Sequence, residues 1–516
     1  MSSSPSQAVR PSPAAAPTPV PLRPPAQLSV GWQAGSDRRR RGVLFGAALV
    51  ISLIFAVAVL EFQIVSLVGL LTWIAIGAIA VRPFIGLCVA FGLVMVFETG
   101  GPDLAMAPGY YLHGGLGSTL GLNGAIVSPL ELLLVLMFLV WLAQGAVRHR
   151  LDFRGGALWK PMLAFFVALV AGLVRGMAGG GDLNTALWES RFLFYTVITY
   201  VVAANTVRSR AQVRVLLWIA LIGSTLFAIE GAYRRVELVD TGKLGVIIEF
   251  AYGHEDVIFL GGHLLVVVAL FAFGAPFWMR VLGLLSVPII GFTLLAMERR
   301  AGYIAVIVGI LVLSVVFLMT KRKAFFLFSV PLIVGFAIYL PIFWNNTSLL
   351  GQPARAVKSL SQPDPRDASS NEYRALELID VQYTIKANPI FGVGFGRQFD
   401  FVVGLPDLSW WPFWHYEPHH NILWVWLKLG TIGFAVFWTL MGTAIARAAF
   451  IVRTIALPEA KVFALFALSA VVMTVVFCYV DLGLVQGRVT VLLGTAIGVL
   501  SVLHQLKDRP TIQVRT

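Results

Sequence analysis

Five residues, Glu417-Pro418-His419-His420-Asn421, stand directly before the apolar run Ile422-Leu423-Trp424-Val425-Trp426-Leu427. Imidazole is the side chain that ordinarily titrates near neutral pH, so two in tandem at the mouth of an apolar helix could move a proton. The same residues could equally be a helix cap, with Asn421 or the His pair meeting free backbone N–H groups. A second chemical type recurs. Glu189 and Arg191 open one apolar run, Glu298-Arg299-Arg300 form a tight turn between two others, and Arg374 and Arg397 lie in a long polar stretch. A guanidinium binds phosphate oxygens through a planar fork and stays charged at any relevant pH. Arginines and histidines with little carboxylate pairing therefore suit an anionic, lipid-linked substrate. A diphosphate leaving group needs its developing charge stabilised, and fixed arginines can do that without a metal. The plainer reading of Arg299 and Arg300 is snorkelling at a helix end.

Other motifs are weaker. Gly392-Val393-Gly394-Phe395-Gly396 follows Pro389 in a loop, not a strand, and no Walker lysine follows, so it makes no nucleotide site. Its expected role is a tight turn with close backbone approach. Asp364-Pro365-Arg366-Asp367 lacks the third ligand of a cation site. Glu98, Glu131, Glu230 and His263 read as packed polar groups. Cys88 and Cys478 both lie in apolar runs and build no disulfide framework or metal cluster.

The elements that must position these groups are membrane helices. Of 516 residues, 58% are hydrophobic and 13% charged, against about 45–50% and about 25% in a soluble chain. Apolar runs long enough to span hydrocarbon occupy residues 43–60, 64–81, 84–97, 128–146, 160–175, 190–206, 213–231, 258–275, 281–298, 302–319, 325–343, 420–446, 462–480 and 488–505. The 84–97 run is short, and 64–97 could be a re-entrant hairpin. The expected fold is all-α: a polytopic membrane protein with about 12–14 transmembrane helices. The alternating segments of a β-barrel are absent.

The formal charge of +13 could suggest a nucleic-acid partner, but the basic residues cluster in short loops, which is the mark of topology. With the N-terminus inside, Arg148, Arg150, Arg154 and Lys160 fall inside, as do Arg208, Arg210, Arg214, Lys321-Arg322-Lys323, Arg447, Arg453 and Lys461. The opposite side then holds loops at 98–128, 232–257 and 343–419 together with the arginine turn and the histidines. The expected organisation is a basic, Ser/Pro/Ala-rich disordered cytoplasmic tail (1–42), a helix bundle (43–342) opening on an uncleaved signal anchor, a periplasmic loop carrying short helices (343–419), C-terminal membrane helices (420–505) and a cytoplasmic tail (506–516). Within the loop, 371–388 has Tyr373, Leu376, Ile379 and Tyr383 at helical spacing. Asn388-Pro389 ends it. The aromatic stretch from Trp410 to Tyr416 suits the headgroup region.

Three stretches together resemble the O-antigen ligase and polymerase family of bacterial membrane glycosyltransferases. They are Arg299-Arg300-Ala301-Gly302-Tyr303, then Arg374 with Asn388-Pro389-Ile390-Phe391-Gly392-Val393-Gly394-Phe395-Gly396, then His420-Asn421-Ile422-Leu423 with Leu427, Gly430 and Gly433. The resemblance spans roughly residues 185–445. It implies transfer of a glycan from undecaprenyl diphosphate, on the periplasmic side of the bacterial inner membrane, to lipid A core or to another lipid-linked glycan, with no cofactor or metal. It implies that His420 activates the acceptor, with His419 leaving that assignment ambiguous by one position. Arg300, and with it Arg191, Arg374 and Arg299, would hold the diphosphate. Asn421, Gly392, Gly394 and Gly396 would be structural. Membrane lipids and other polysaccharide-assembly membrane proteins are the further expected partners. The expected mechanism is direct displacement at the anomeric carbon, with inversion. A transporter or flippase for lipid-linked glycan is the alternative. It would place charges mid-span and break helices, whereas the charges here collect at helix mouths.

Overall fold

Inside hydrocarbon the backbone must satisfy its own polar groups, and a single segment does so only as a helix. The computed structural model describes residues 76–97, 127–147, 153–239, 253–409 and 411–506. The tails, the anchor at 43–60, most of 64–81, most of the 98–128 loop, residues 240–252 and Trp410 lie outside the described residues. Helices occupy Pro83–Val96 (α1), Pro129–Val147 (α2), Trp159–Ala178 (α3), Leu183–Thr206 (α4), Arg210–Arg234 (α5), Val257–Phe273 (α6), Phe277–Ala296 (α7), Arg300–Thr320 (α8), Val330–Phe343 (α9), Gln352–Lys358 (α10), Pro365–Ala387 (α11), Asn421–Thr454 (α12), Pro458–Phe477 (α13) and Gly487–Val502 (α14). No strand occurs among the described residues. Nine helices among them are long and apolar enough to cross a membrane. The chain is an all-α polytopic membrane protein.

Helix starts follow capping chemistry rather than the apolar pattern alone. α4 begins at Leu183 because Asp182 Oδ1 accepts the Thr185 N–H at 2.7 Å. Glu189 therefore lies inside a helix instead of opening one. α11 begins at Pro365 because Asp364 Oδ1 accepts the Asp367 N–H at 2.8 Å, which gives the Asp-Pro-Arg-Asp motif a capping role. The core is built on α13 and α14, whose apolar windows are 83% and 94% buried, against 6% for the span that includes α9. α14 lies close to α4 because Gly494 and Gly498 face the backbone of Thr196 and Tyr200, the small-residue packing of membrane helices.

The bundle has two ends. At the lower one, Arg214 of α5 pairs with Glu459 at the start of α13, and Lys321 after α8 donates to the Ala272 carbonyl of α6. At the upper one lie the starts of α6, α8, α12 and α14, with α10 and α11 beside them.

α11 is the helix expected within the loop. Of the residues spaced on one face, Tyr373 and Leu376 are half-buried, while Ile379 and Tyr383 are 48% and 50% exposed. The buried face is instead Glu377, Asp380, Val381, Thr384 and Ile385. Its polar members are consumed by local backbone. Asp380 Oδ1 accepts Val402 N–H and Val403 N–H, each at 2.8 Å, and Thr384 Oγ1 accepts Asp400 N–H at 2.8 Å.

Candidate functional site

The glycine loop is a wedge in a broken helix. α12 is interrupted at Gly430, with φ 64° and ψ −174°. The break leaves carbonyls without helical partners, and the loop takes them: Val393 N–H donates to Leu427 O at 2.9 Å and Gly394 N–H to Lys428 O at 3.1 Å. On its other side Phe395 N–H donates to Gly172 O of α3 at 3.2 Å. Gly392, Gly394 and Gly396 all have positive φ, and a Cβ on Gly394 would lie 2.2 Å from Gly176 N. The expected turn with close backbone approach is what the structure holds. The span expected over 420–446 is present, broken at Gly430.

The wedge is fixed by a charge pair that the sequence reading missed. Lys428 Nζ lies 2.7 Å from Glu189 Oε1, and both side chains are fully buried. Lys428 also donates to Arg397 O at 2.6 Å, and Glu189 Oε2 accepts Gly396 N–H at 2.6 Å. A second buried pair, Arg488–Asp256, ties the start of α14 to the start of α6, with Arg488 Nε donating to Val94 O at 2.8 Å. Lys428 and Glu189 thus place charge within helices, where it was expected only at helix mouths, while Arg488 and Asp256 stand at helix starts. Carboxylate pairing is not scarce among the cations of the upper end. Glu417 is buried beside the first pair. Burial and the like charge of Glu189 push its carboxyl well above the usual range, against Lys428 and Arg191.

The tandem histidines divide. His420, not Asn421, caps α12: its Nδ1 accepts the Leu423 N–H at 3.2 Å. An amide can only donate, so Nδ1 is unprotonated and the neutral ring carries its proton on Nε2. Burial lowers the imidazole's pKa and favours that neutral form. The ring packs on Tyr479, with centroids 4.5 Å apart. Asn421 is fully buried, and its Oδ1 accepts the Leu484 N–H at 2.8 Å, holding the α13–α14 turn. His419 is tied to α11. Its N–H reaches Glu377 Oε2 at 2.8 Å and its Nδ1 lies 3.1 Å from Glu377 Oε1.

The arginines gather one turn of α11 away. A cavity of about 260 Å³ at the start of α8 is lined by Arg299, Arg300, Arg355 and Arg374, with Glu298, Asp367, His254 and Asp481. Arg300 Nε is 3.2 Å from Asp367 Oδ1, and its Nη2 is 3.4 Å from Asn371 Oδ1. Arg374 Nη1 donates to Ser370 Oγ at 3.0 Å. Arg355 is paired with Asp364. Glu298 has φ 50°, an uncommon conformation for a residue with a Cβ. Arg235 Nη1 holds its Oε1 at 3.0 Å.

Of the arginines singled out from sequence, Arg299, Arg300 and Arg374 share this cavity. Arg191 does not. It lies 3.5 Å from Glu131, and its guanidinium sits 3.4 Å above the Trp188 ring. His263 is a packed polar group, as expected, between Ser224 at 2.6 Å and Ser286 at 2.7 Å. Glu131 and Glu230 are also engaged, with Ser128 and Arg234, and Glu98 lies outside the described residues. The cavity also holds a pair that no local pattern joins. His254 Nδ1 lies 2.7 Å from Asp481 Oδ2, across more than two hundred residues of chain.

A shallow apolar groove of about 420 Å³ runs between α8 and α9, lined by Ile307, Leu311, Leu332 and Phe336. It begins one turn along α8 from Ile304, which lines the arginine cavity. No curated protein matches the chain. Residues 284–438, the segment carrying the cavity arginines, the glycine wedge and the histidine pair, match the family model described as O-antigen ligase.

Proposed function

We propose that the chain transfers a glycan from undecaprenyl diphosphate to an acceptor hydroxyl at the periplasmic face of the bacterial inner membrane, as an O-antigen ligase or a repeat-unit polymerase. The observation that carries this reading is the arginine cavity at the upper end of α8, whose arginines lie in the family-matched segment and which has an apolar groove beside it along α8. A polyprenyl diphosphate has the same layout, a long apolar chain ending in concentrated negative charge. Arg374, which lines the cavity beside Arg300, and Arg300, held level by Asp367 and Asn371, would bind the diphosphate and take up charge as the glycosyl bond breaks. Arg299 adds field. Arg191 acts elsewhere, bracing the aromatic shelf of Trp188 and Phe413, whose rings stack at 5.4 Å. His420, with its proton on Nε2, would orient the acceptor by donating to its oxygen. His419 holds α11 against the start of α12. The periplasmic assignment rests on the distribution of Lys and Arg between the two ends.

A transporter has two observations in its favour, the buried Lys428–Glu189 pair and the break in α12. Both are already satisfied internally: the wedge takes the exposed carbonyls, and the two charges neutralise one another. The test is reconstitution of the purified protein with an undecaprenyl-diphosphate oligosaccharide, offered lipid A core or a second donor molecule as acceptor. Cleavage of the glycosyl–diphosphate bond, with product on either acceptor, supports the reading. Movement of intact lipid-linked glycan across the bilayer without cleavage refutes it.

A further inference from the structure

The acceptor hydroxyl must lose a proton, and His420 in its capping tautomer has no lone pair to receive it. We propose that the His254–Asp481 pair is the base of the arginine cavity, an inference that rests on the glycosyl-transfer reading above. His254 precedes α6 and Asp481 lies in the α13–α14 turn, both outside the segment that matches the family. His254 is the histidine that lines the cavity among the described residues. His254 Nδ1 is 2.7 Å from Asp481 Oδ2, and the ring remains 42% exposed. A carboxylate can only accept, so Nδ1–H donates to Asp481 and the Nε2 lone pair is left for the cavity. Burial alone would raise the Asp481 carboxyl. His254 and Arg374 outweigh it and hold the group well below the usual carboxylate range, with the Leu482 N–H donating to Oδ1 at 2.8 Å. The carboxylate thus fixes the tautomer and faces the charge that develops on the ring.

The step balances without a co-reactant. The acceptor O–H gives its proton to His254 Nε2 as the oxygen forms a bond to the anomeric carbon. The bond from that carbon to the diphosphate oxygen breaks, and its electron pair leaves on the diphosphate, against Arg300 and Arg374. The imidazolium then releases its proton to water. The arrangement also gives His420 a second purpose. Its ring packs on Tyr479, two residues before Asp481, so it supports the segment that carries the carboxylate.

The experiment is the reconstituted transfer assay on H254A, D481N and R374A, with melting temperature measured on each. H254A should lose at least about 10²-fold in turnover, the usual share of a general base, with donor KM little changed, and added imidazole should restore part of the rate. D481N should lose turnover without that rescue. A near-normal rate for H254A overturns the proposal. So does a lost rate that imidazole does not raise in H254A protein melting like the wild type. Normal transfer by R374A would instead sink the glycosyl-transfer reading itself, whatever His254 does.

Discussion

Two charged clusters occupy the upper end of the bundle, and they use charge in opposite ways. Around Lys428 and Glu189 the donors and acceptors are directed inward: the ion pair, the Arg397 carbonyl and the Gly396 N–H close on one another with no solvent access. Around Arg300 and Arg374 the cations line an open cavity. The first arrangement positions backbone. It seats the glycine wedge in the broken α12 and so sets where α11 ends and where Glu417 to His420 begin. The second is suited to an anion from outside. A buried charge is costly unless paired, so the sealed pair is strong evidence about placement of the chain and weak evidence about a ligand. For an open group of cations the inference runs the other way.

The comparison is broken most severely at Lys428. K428M or E189Q alone leaves one buried charge uncompensated and should destabilise the protein by about 3–5 kcal/mol, read as reduced melting temperature and poor recovery in detergent. The double variant should be less damaged than the sum of the two. If either single change melts like the wild type, the pair does not hold the wedge. Next comes the wedge itself. G394A forces a Cβ into a positive-φ site that faces the Gly176 backbone and should cost about 1–3 kcal/mol. G404A, at an open position, should cost much less in the same melt. The smallest effect is at Glu417, and its sign is distinctive. Its folded-state pKa is raised, so as pH rises above the unfolded value the unfolded chain loses a proton that the folded one keeps. Stability therefore falls with rising pH. E417Q should raise the melting temperature near pH 7–8, and the gain should shrink towards pH 4.5. A gain that grows on acidification would contradict the burial argument.

Much of the upper end was legible in the residues. Apolar length marked each spanning helix that is described, and the order of Arg299-Arg300, Arg374, the glycines and His420 marked the family segment. The remainder depended on contacts across sequence distance. Lys428 sits in an otherwise apolar run, and nothing local shows that Glu189 faces it. His254 and Asp481 lie in separate loops, and their pairing exists only once α6 and α13 are adjacent. Helical spacing located α11 but did not show which face is buried. Asp380 and Thr384 face inward, since loop 400–403 needs acceptors for its N–H groups. The cap of α12 was open between Asn421 and the His pair. The side chain of His420 supplies it, and that of Asn421 anchors the α13–α14 turn.

The central claim is that the open arginines bind and neutralise a diphosphate, and it is tested most directly by the turnover of R374A in the reconstituted transfer assay. Removing one donor at a point of developing charge should lower turnover by about 10²–10³-fold, with the melting temperature close to that of the wild type. Transfer at the wild-type rate by well-folded R374A protein would contradict the account.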